Sequence, residues 1–311
     1  KLRPYACQLK PAESSLNSHC PKISATPPWF LRALTQVIST RLPNIQPPQF
    51  KSELTPAAAI HNMNVIQSHG SLEAAIKAQT NSPVSYGSEF RPPWILHPLM
   101  HRHPLWYRTA QCLGEGTIYK LKPISDEART LDLKAQLEYG NHKSTELQPD
   151  LFTANMETEV NHGFALPLPP DFAFRIPDAE AAPHGMITQE TINDQGEIIP
   201  KDRVTHDQSY PGEFSKESIN SRVIDEELAP CMYGHMLLRC IHYIIGCRQR
   251  HPHTRIWIQK IDWRTAYRRQ HLHSSTAVKT LTQLTVNGVL FILMALRPTF
   301  GGKPCPSEWG C

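Results

Sequence analysis

TLTQLTVNGVLFILMAL, residues 280–296, decides how this chain folds. Two apolar, β-rich runs flank Asn287-Gly288, and Asn-Gly is the dipeptide best suited to the two positive φ angles of a type I′ turn. The stretch therefore predicts a β-hairpin. Its second arm contains the longest apolar run in the sequence, Val289 to Leu296. That run suits a buried strand and is far short of the ~18 residues a membrane span needs. Upstream, GMITQETI (185–192), the turn NDQG and EIIPKDRV (197–204) predict another hairpin, with β-branched residues on both sides of an Asn/Asp/Gly turn. Between the hairpins, Met236, Leu237, Cys240, Ile241, Ile244 and Ile245 fall on one helical face. RIWIQKI (255–261) reads as a strand running into a polar helix, WRTAYRRQ. Strand pair, helix, strand, helix, strand pair is an α+β layout, with a sheet still unfinished at residue 311.

Farther out the signals are helical or weak. ISDEARTLDLKAQLEYG (124–140) predicts a helix capped by Ser125, with acidic residues in its first turn and Gly140 as its stop. Residues 58–79 predict one or two short helices, with Ser71 capping LEAAIKA. The prolines recurring from Pro167 to Pro183 mark an extended connector. Residues 1–55, apart from a short apolar piece at 29–38, are rich in Pro, Ser and Gln and read as tail or linker. Three parts result: an irregular tail with short helices (1–84), a helical region (85–166), and the α+β part (167–311).

Bulk properties set limits. The 311 residues carry a net charge of +4, a pI near 8.6, a mean hydropathy of -0.40 and 28 prolines. A mildly basic balance permits a nucleic-acid partner without requiring one. No membrane partner is expected. Without a charged-then-apolar leader the expected location is intracellular, cytoplasm or nucleus. None of the eight cysteines is spaced Cys-x-x-Cys, so they read as free thiols rather than a zinc ribbon or redox pair. The His-x-His pairs at His101/His103, His251/His253 and His271/His273 lack the companion spacings of a zinc site. Lys1 in place of Met, and Cys311 directly after a dense motif, suggest cuts in a longer reading frame.

Three constellations could carry chemistry. In KDRVTHDQSYP (201–211), Arg203 stands on the outgoing hairpin strand, where a planar guanidinium can grip phosphate through two oxygens. Taken alone, Arg203 is an ordinary edge-strand charge, and Asp207 with Ser209 a turn or cap. In IQKIDWRTAYRR (258–269), Asp262 ends an apolar strand and Tyr267 follows five residues later. A carboxylate in that place suits Mg²⁺, a hard ion that takes few protein oxygens; alone, it caps a helix. In LRPTFGGKPCPSEWG (296–310), Gly301 and Gly302 let backbone approach a flat ligand, within a loop stiffened by Pro298, Pro304 and Pro306.

Their joint order resembles the reverse transcriptase family: fingers hairpin, first palm aspartate, then a template-facing glycine loop. Within it, GSEFRPPW (87–94), HPLW (103–106), GNHKS (140–144), THDQS (205–209), KID with AYRR (260–269) and RPTFGGKPCPSEW (297–309) look most like DIRS-type and related retrotransposons. The likeness spans roughly residues 85–311. It implies the fingers and part of the palm of a right-hand polymerase fold, acting on an RNA or DNA template with primer and on deoxynucleoside triphosphates. Asp262 would bind the catalytic Mg²⁺ ions, helped by the carbonyl of Ile261 or Trp263. Tyr267 resembles the steric gate against a ribose 2′-hydroxyl, and Arg203 the fingers arginine at the triphosphate. Phe300 and Gly301 match the loop against nucleotide and template, held by Pro306 and Trp309. Asp207 would orient the fingers strand.

Some positions depart from the pattern. Gln189 and Thr191 stand where many relatives carry a lysine, and Thr299 intervenes between Pro298 and Phe300. The family's Tyr-x-Asp-Asp turn is expected beyond Cys311, so these residues alone are expected not to polymerise DNA. The alternatives are a non-enzymatic or domesticated nucleic-acid binder using Arg248, Arg250, Arg255, Arg264, Arg268 and Arg269, and a helix-rich interaction module.

Overall fold

In the computed structural model the described residues are 27–309 without 43, 194, 231–235 and 258–264. They divide into two units at Thr40/Arg41. The first holds a single described helix, α1 (Pro28–Ser39), where the short apolar piece of the tail lies.

The second unit is α+β. Its helices are α2 (Pro56–Ser68), α3 (Leu72–Lys77), α4 (Pro93–Met100), α5 (Trp106–Glu115), α6 (Asp126–Tyr139), α7 (Lys143–Glu146) and α8 (Pro149–Asn161), then α9 (Met236–Arg250), α10 (Ser274–Ala277) and α11 (Cys305–Trp309). Its strands are β1 (Ala165–Leu168), β2 (His184–Ile192), β3 (Ile198–His206), β4 (Leu281–Val286) and β5 (Val289–Ala295). The anticipated caps are in place. Ser71 Oγ accepts from Ala74 N at 3.1 Å and Ser125 Oγ from Ala128 N at 3.2 Å, while Gly140 stops α6 at φ 83°.

Two antiparallel sheets form, β1-β5-β4 and β2-β3. The Asn287-Gly288 turn joins β4 to β5 with φ 50° and 78°, both positive as a type I′ turn requires. The strand β5 runs through the middle of the larger sheet and alternates between two apolar clusters. Ile292 and Met294 join Val65, Ile66, Leu72, Ile76 and Phe172 on one face; Phe291 and Leu293 join Ala59, Phe152, Met156 and Val160 on the other. Helices cover both faces, so the strand has no polar side to present, and its uninterrupted apolar run follows.

Two expectations need correction. The segment 167–183 is not merely a connector: it begins within β1, all of whose residues are buried and which pairs with β5, Pro167 opposite Leu293. Proline is tolerated there because β1 lies at the sheet edge. The polar helix expected over 263–270 is, in its described part, a 3-10 turn at Ala266–Arg269 entered through Thr265 in the left-handed region (φ 55°, ψ 45°). Of the strand expected at 255–261, residues 255–257 are irregular and the rest lies outside the described residues. No described helix is long and apolar enough to cross a membrane.

Candidate functional site

The glycine loop leaves β5 at Leu296 and doubles back onto the root of the β2–β3 hairpin. The His206 amide donates to the Phe300 carbonyl at 2.8 Å. Gly301, at φ 137°, comes so close that a Cβ would lie 1.9 Å from the His206 carbonyl oxygen. No other residue fits there without moving backbone. Asn220 completes the junction: its Nδ2 donates to the Gly301 carbonyl at 2.7 Å and its Oδ1 accepts from the Lys303 amide at 2.8 Å. Phe300 itself remains 45 % exposed. Arg203, three residues before His206, is exposed on β3 opposite Ile187.

A second junction ties the Tyr267 turn to the same loop through two arginines whose guanidiniums each reach the other's segment. Arg297, 0 % exposed, donates to the carbonyls of Arg268 and Arg269 at 3.1 Å each, to Pro83 O at 2.9 Å and to Ser88 Oγ at 3.1 Å. Arg268 donates in return to the carbonyls of Arg297 (3.2 Å) and Pro298 (3.1 Å). These four acceptors at Nη1 and Nη2 offset much of the cost of burying the charge, while the buried Nε has no partner. Burial still draws the Arg297 guanidinium down to about 10, against the pull of Glu89. Tyr267 is half-buried and packs against the main apolar cluster. Arg269 pairs with Glu89 at 2.8 Å.

Beyond the loop, α11 is anchored by Glu308. Its buried carboxylate takes a two-pronged pair from Arg108 on α5, and its carbonyl accepts from Gln270 Nε2 at 3.1 Å. Trp309 is half-buried and Pro306 exposed at the ends of this short helix. Asp207 closes the hairpin: its amide donates to Pro183 O at 2.8 Å, its Oδ1 accepts from Ser209 N at 3.1 Å, and its Oδ2 lies 3.0 Å from His142 Nε2.

Of the residues picked out from sequence, the fold thus brings together the hairpin root below Arg203, Phe300, Gly301 and the turn bearing Tyr267. Asp262, with Ile261 and Trp263, lies outside the described residues. Among the described residues no three His, Cys, Asp or Glu side chains converge as a metal site would need. The magnesium assignment therefore rests on position 262 alone. Arg268, offered as a phosphate contact, is instead spent on Glu159 (3.0 Å) and on backbone carbonyls.

Sequence reading missed the residues that join these parts: Arg297, Arg268 as a clasp, His206, Gln208, Thr299 and Glu308. Gln208 Nε2 donates to Thr299 Oγ1 at 2.8 Å, and that hydroxyl lies 3.2 Å from His206 Nδ1. An Arg-Pro pair directly after a buried strand was the available signal for Arg297.

Against protein-family models, curated proteins and solved structures alike, the chain has no match.

Proposed function

We propose that this chain is a reverse-transcriptase-like nucleotidyl-transfer module, binding a template–primer duplex and deoxynucleoside triphosphates. The observation that carries the reading is the backbone junction between His206 and Phe300–Gly301. It sets the strand bearing Arg203 beside the glycine loop, the two parts that the resemblance assigns to the triphosphate and to the nucleotide–template face. The arginine clasp adds the turn of Tyr267 to the same loop.

In this reading Arg203 grips a phosphate bidentately from the exposed strand. Gly301 lets the loop lie flat, Phe300 offers an exposed ring for stacking, and Tyr267 would exclude a 2′-hydroxyl by bulk. Asp262 would hold magnesium, which when bound supplies charge neutralisation at the phosphates. No Asp-Asp pair occurs in the sequence, and one carboxylate is a poor holder of two divalent ions. Residues 1–311 are therefore expected to bind template–primer without extending it. Fluorescence anisotropy with a labelled hybrid duplex, followed across salt concentration, tests the binding. Absence of binding at low salt would sink the proposal, and magnesium-dependent extension by this chain would overturn the one-carboxylate argument.

A second reading, a nucleic-acid binder without catalysis, is favoured by a different feature. Residues 228–261 carry Arg239, Arg248, Arg250, Arg255 and Lys260 and not one Asp or Glu. Arg255 sits 5.9 Å over the ring of Trp257, which is 82 % exposed, and Tyr243 on α9 is also exposed. Cations interleaved with exposed aromatics suit a single strand's phosphates and bases. If replacing Arg203 leaves deoxynucleoside triphosphate binding intact while replacing Arg255 and Trp257 removes duplex binding, the second reading replaces the first.

A further inference from the structure

At the point where hairpin, sheet, Tyr267 turn and glycine loop meet lies a small pocket of about 20 Å³, room for one water, with Met156, Ala165, Leu293 and Ala295 among its walls. Its lining includes Glu159 from α8, His184 from β2, His206 from β3, Thr282 from β4, Arg268 from the turn and Thr299 from the loop. The two histidine rings are stacked, centroids 4.7 Å apart and 19° from parallel. His184 Nδ1 meets Thr282 Oγ1 at 2.8 Å. Two buried polar atoms of the lining residues, His206 Nε2 and Glu159 Oε2, have no partner at hydrogen-bonding geometry, although Arg268 Nη2 lies 3.0 Å from that Glu159 oxygen. Buried polar atoms are seldom left so, and one water beside these two would fit a pocket of this size.

We propose that this cavity is an acid-released latch: the glycine loop stays on the hairpin root only while His184 and His206 are both neutral, and protonating them frees the loop. The latch asks nothing of polymerase chemistry. Two stacked imidazoliums with room for at most one water beside them would repel each other, and Arg268 faces them with a third positive charge. Glu159 offsets only part of that, being committed to Arg268. Asp207, next in the chain to His206, is held by His142 at 3.0 Å. From the loop, β4 and β5 the cavity receives only Thr299, Thr280, Thr282, Leu293 and Ala295, none of them charged. Thr299 Oγ1, which accepts from Gln208, can donate its single proton to His206 Nδ1. Protonating His206 reverses that bond: Nδ1–H would donate to a hydroxyl that already accepts from Gln208, and the hydroxyl must turn its own proton elsewhere.

Electrostatics give the direction. Burial, then Arg268, lower His206 to about 4, while the Ala182 carbonyl and Asp207 pull it weakly upward. Burial, then His206 and Arg268, hold His184 well below the usual histidine range. Since these values are depressed when the loop is closed, closure is fully stable above pH about 6.5, where an open-state histidine is also neutral. It weakens as pH falls from there toward 4. At pH 5.5 His206 alone raises the open-to-closed ratio about tenfold, and His184 adds to it in the same direction.

Hydrogen exchange of the full chain, corrected for intrinsic chemistry, reads this at a peptide covering residues 296–309. Its opening is expected to rise by that factor between pH 7.5 and 5.5, while a β5 peptide over 289–295 stays protected. His206→Asn, which keeps an acceptor where Nδ1 lies, is expected to cut the rise by about tenfold. Should that variant not fold, ring titration of the native chain by NMR decides alone, His206 being expected near pH 4 and His184 below the usual histidine range. A pH-independent loop, parallel opening of β5, or ring titration near pH 6.5 would each overturn the latch.

Discussion

Hairpin β4–β5 turns through Asn287-Gly288 and is swallowed by the core; hairpin β2–β3 turns through residues 193–196 and stands clear of it. Both turns use a positive-φ glycine, Gly288 at 78° and Gly196 at 82°, with open space where a Cβ would lie on either. Beyond its first two residues β5 is entirely buried, whereas β3 is exposed along most of its length, and Ile192 and Ile198 near the outer turn are 70 % and 67 % exposed. Local chemistry made both hairpins. Burial gave them different work: one is scaffold, the other an arm held only at its root by His184, Met186 and His206. The arm carries isoleucines at its tip and Arg203 on its side, all of them exposed.

The contrast breaks first, and most strongly, under truncation. Leu293→Ala in β5 is expected to cost about 2–5 kcal/mol because it opens a cavity between covered faces. Ile198→Ala in the arm should stay within about 0.5 kcal/mol. Urea midpoints of the two variants measure this directly, and equal losses would mean that the arm packs against the core after all. Next in size is Gly301→Ala, at the joint between the two regions. A left-handed backbone together with a Cβ driven into the His206 carbonyl should cost about 1–3 kcal/mol. The loss should appear as loop opening in hydrogen exchange before β5 responds. Arg203→Ala should not shift the urea midpoint, yet should weaken binding of a deoxynucleoside triphosphate, the phosphate partner that the resemblance gives it. A variant that destabilises the chain would instead assign Arg203 to the fold.

What was legible in the sequence was local. Ser71, Ser125, Gly140 and Asn287-Gly288 each announce a cap or turn within a few residues, and the two hairpins with a helix between them were legible from their apolar patterns. Pairing between distant segments was not legible. The strand β1 carries a proline within Ala-Leu-Pro-Leu, and only its partner β5, more than a hundred positions later, makes it a strand. Arg268 and Arg297 look like surface charges in sequence; the fold spends both on carbonyls, and no short-range pattern separates the two fates. The 3-10 turn at Ala266–Arg269 has the same origin, since Arg297 takes up the carbonyls of Arg268 and Arg269. Within the candidate site, residue types were recognisable while their joinery was not: Phe300 and Gly301 stood out, but their seat on His206 did not. Asp262 lies outside the described residues, so its placement beside Tyr267 is still an inference from the resemblance.

The finest test of the contrast uses the two turn glycines. Gly288→Ala and Gly196→Ala impose nearly the same local strain, about 1 kcal/mol for a left-handed backbone with a side chain in open space. Gly288 belongs to the buried sheet, so its strain should reach the global transition and lower the urea midpoint accordingly. Gly196 belongs to an arm that can open while the sheet stays intact, so its strain should appear as faster exchange of the amides near residues 192–198. The midpoint should hardly move. If both substitutions lower the midpoint equally, the arm unfolds with the core as one unit, and it no longer qualifies as an element free to adjust to a partner.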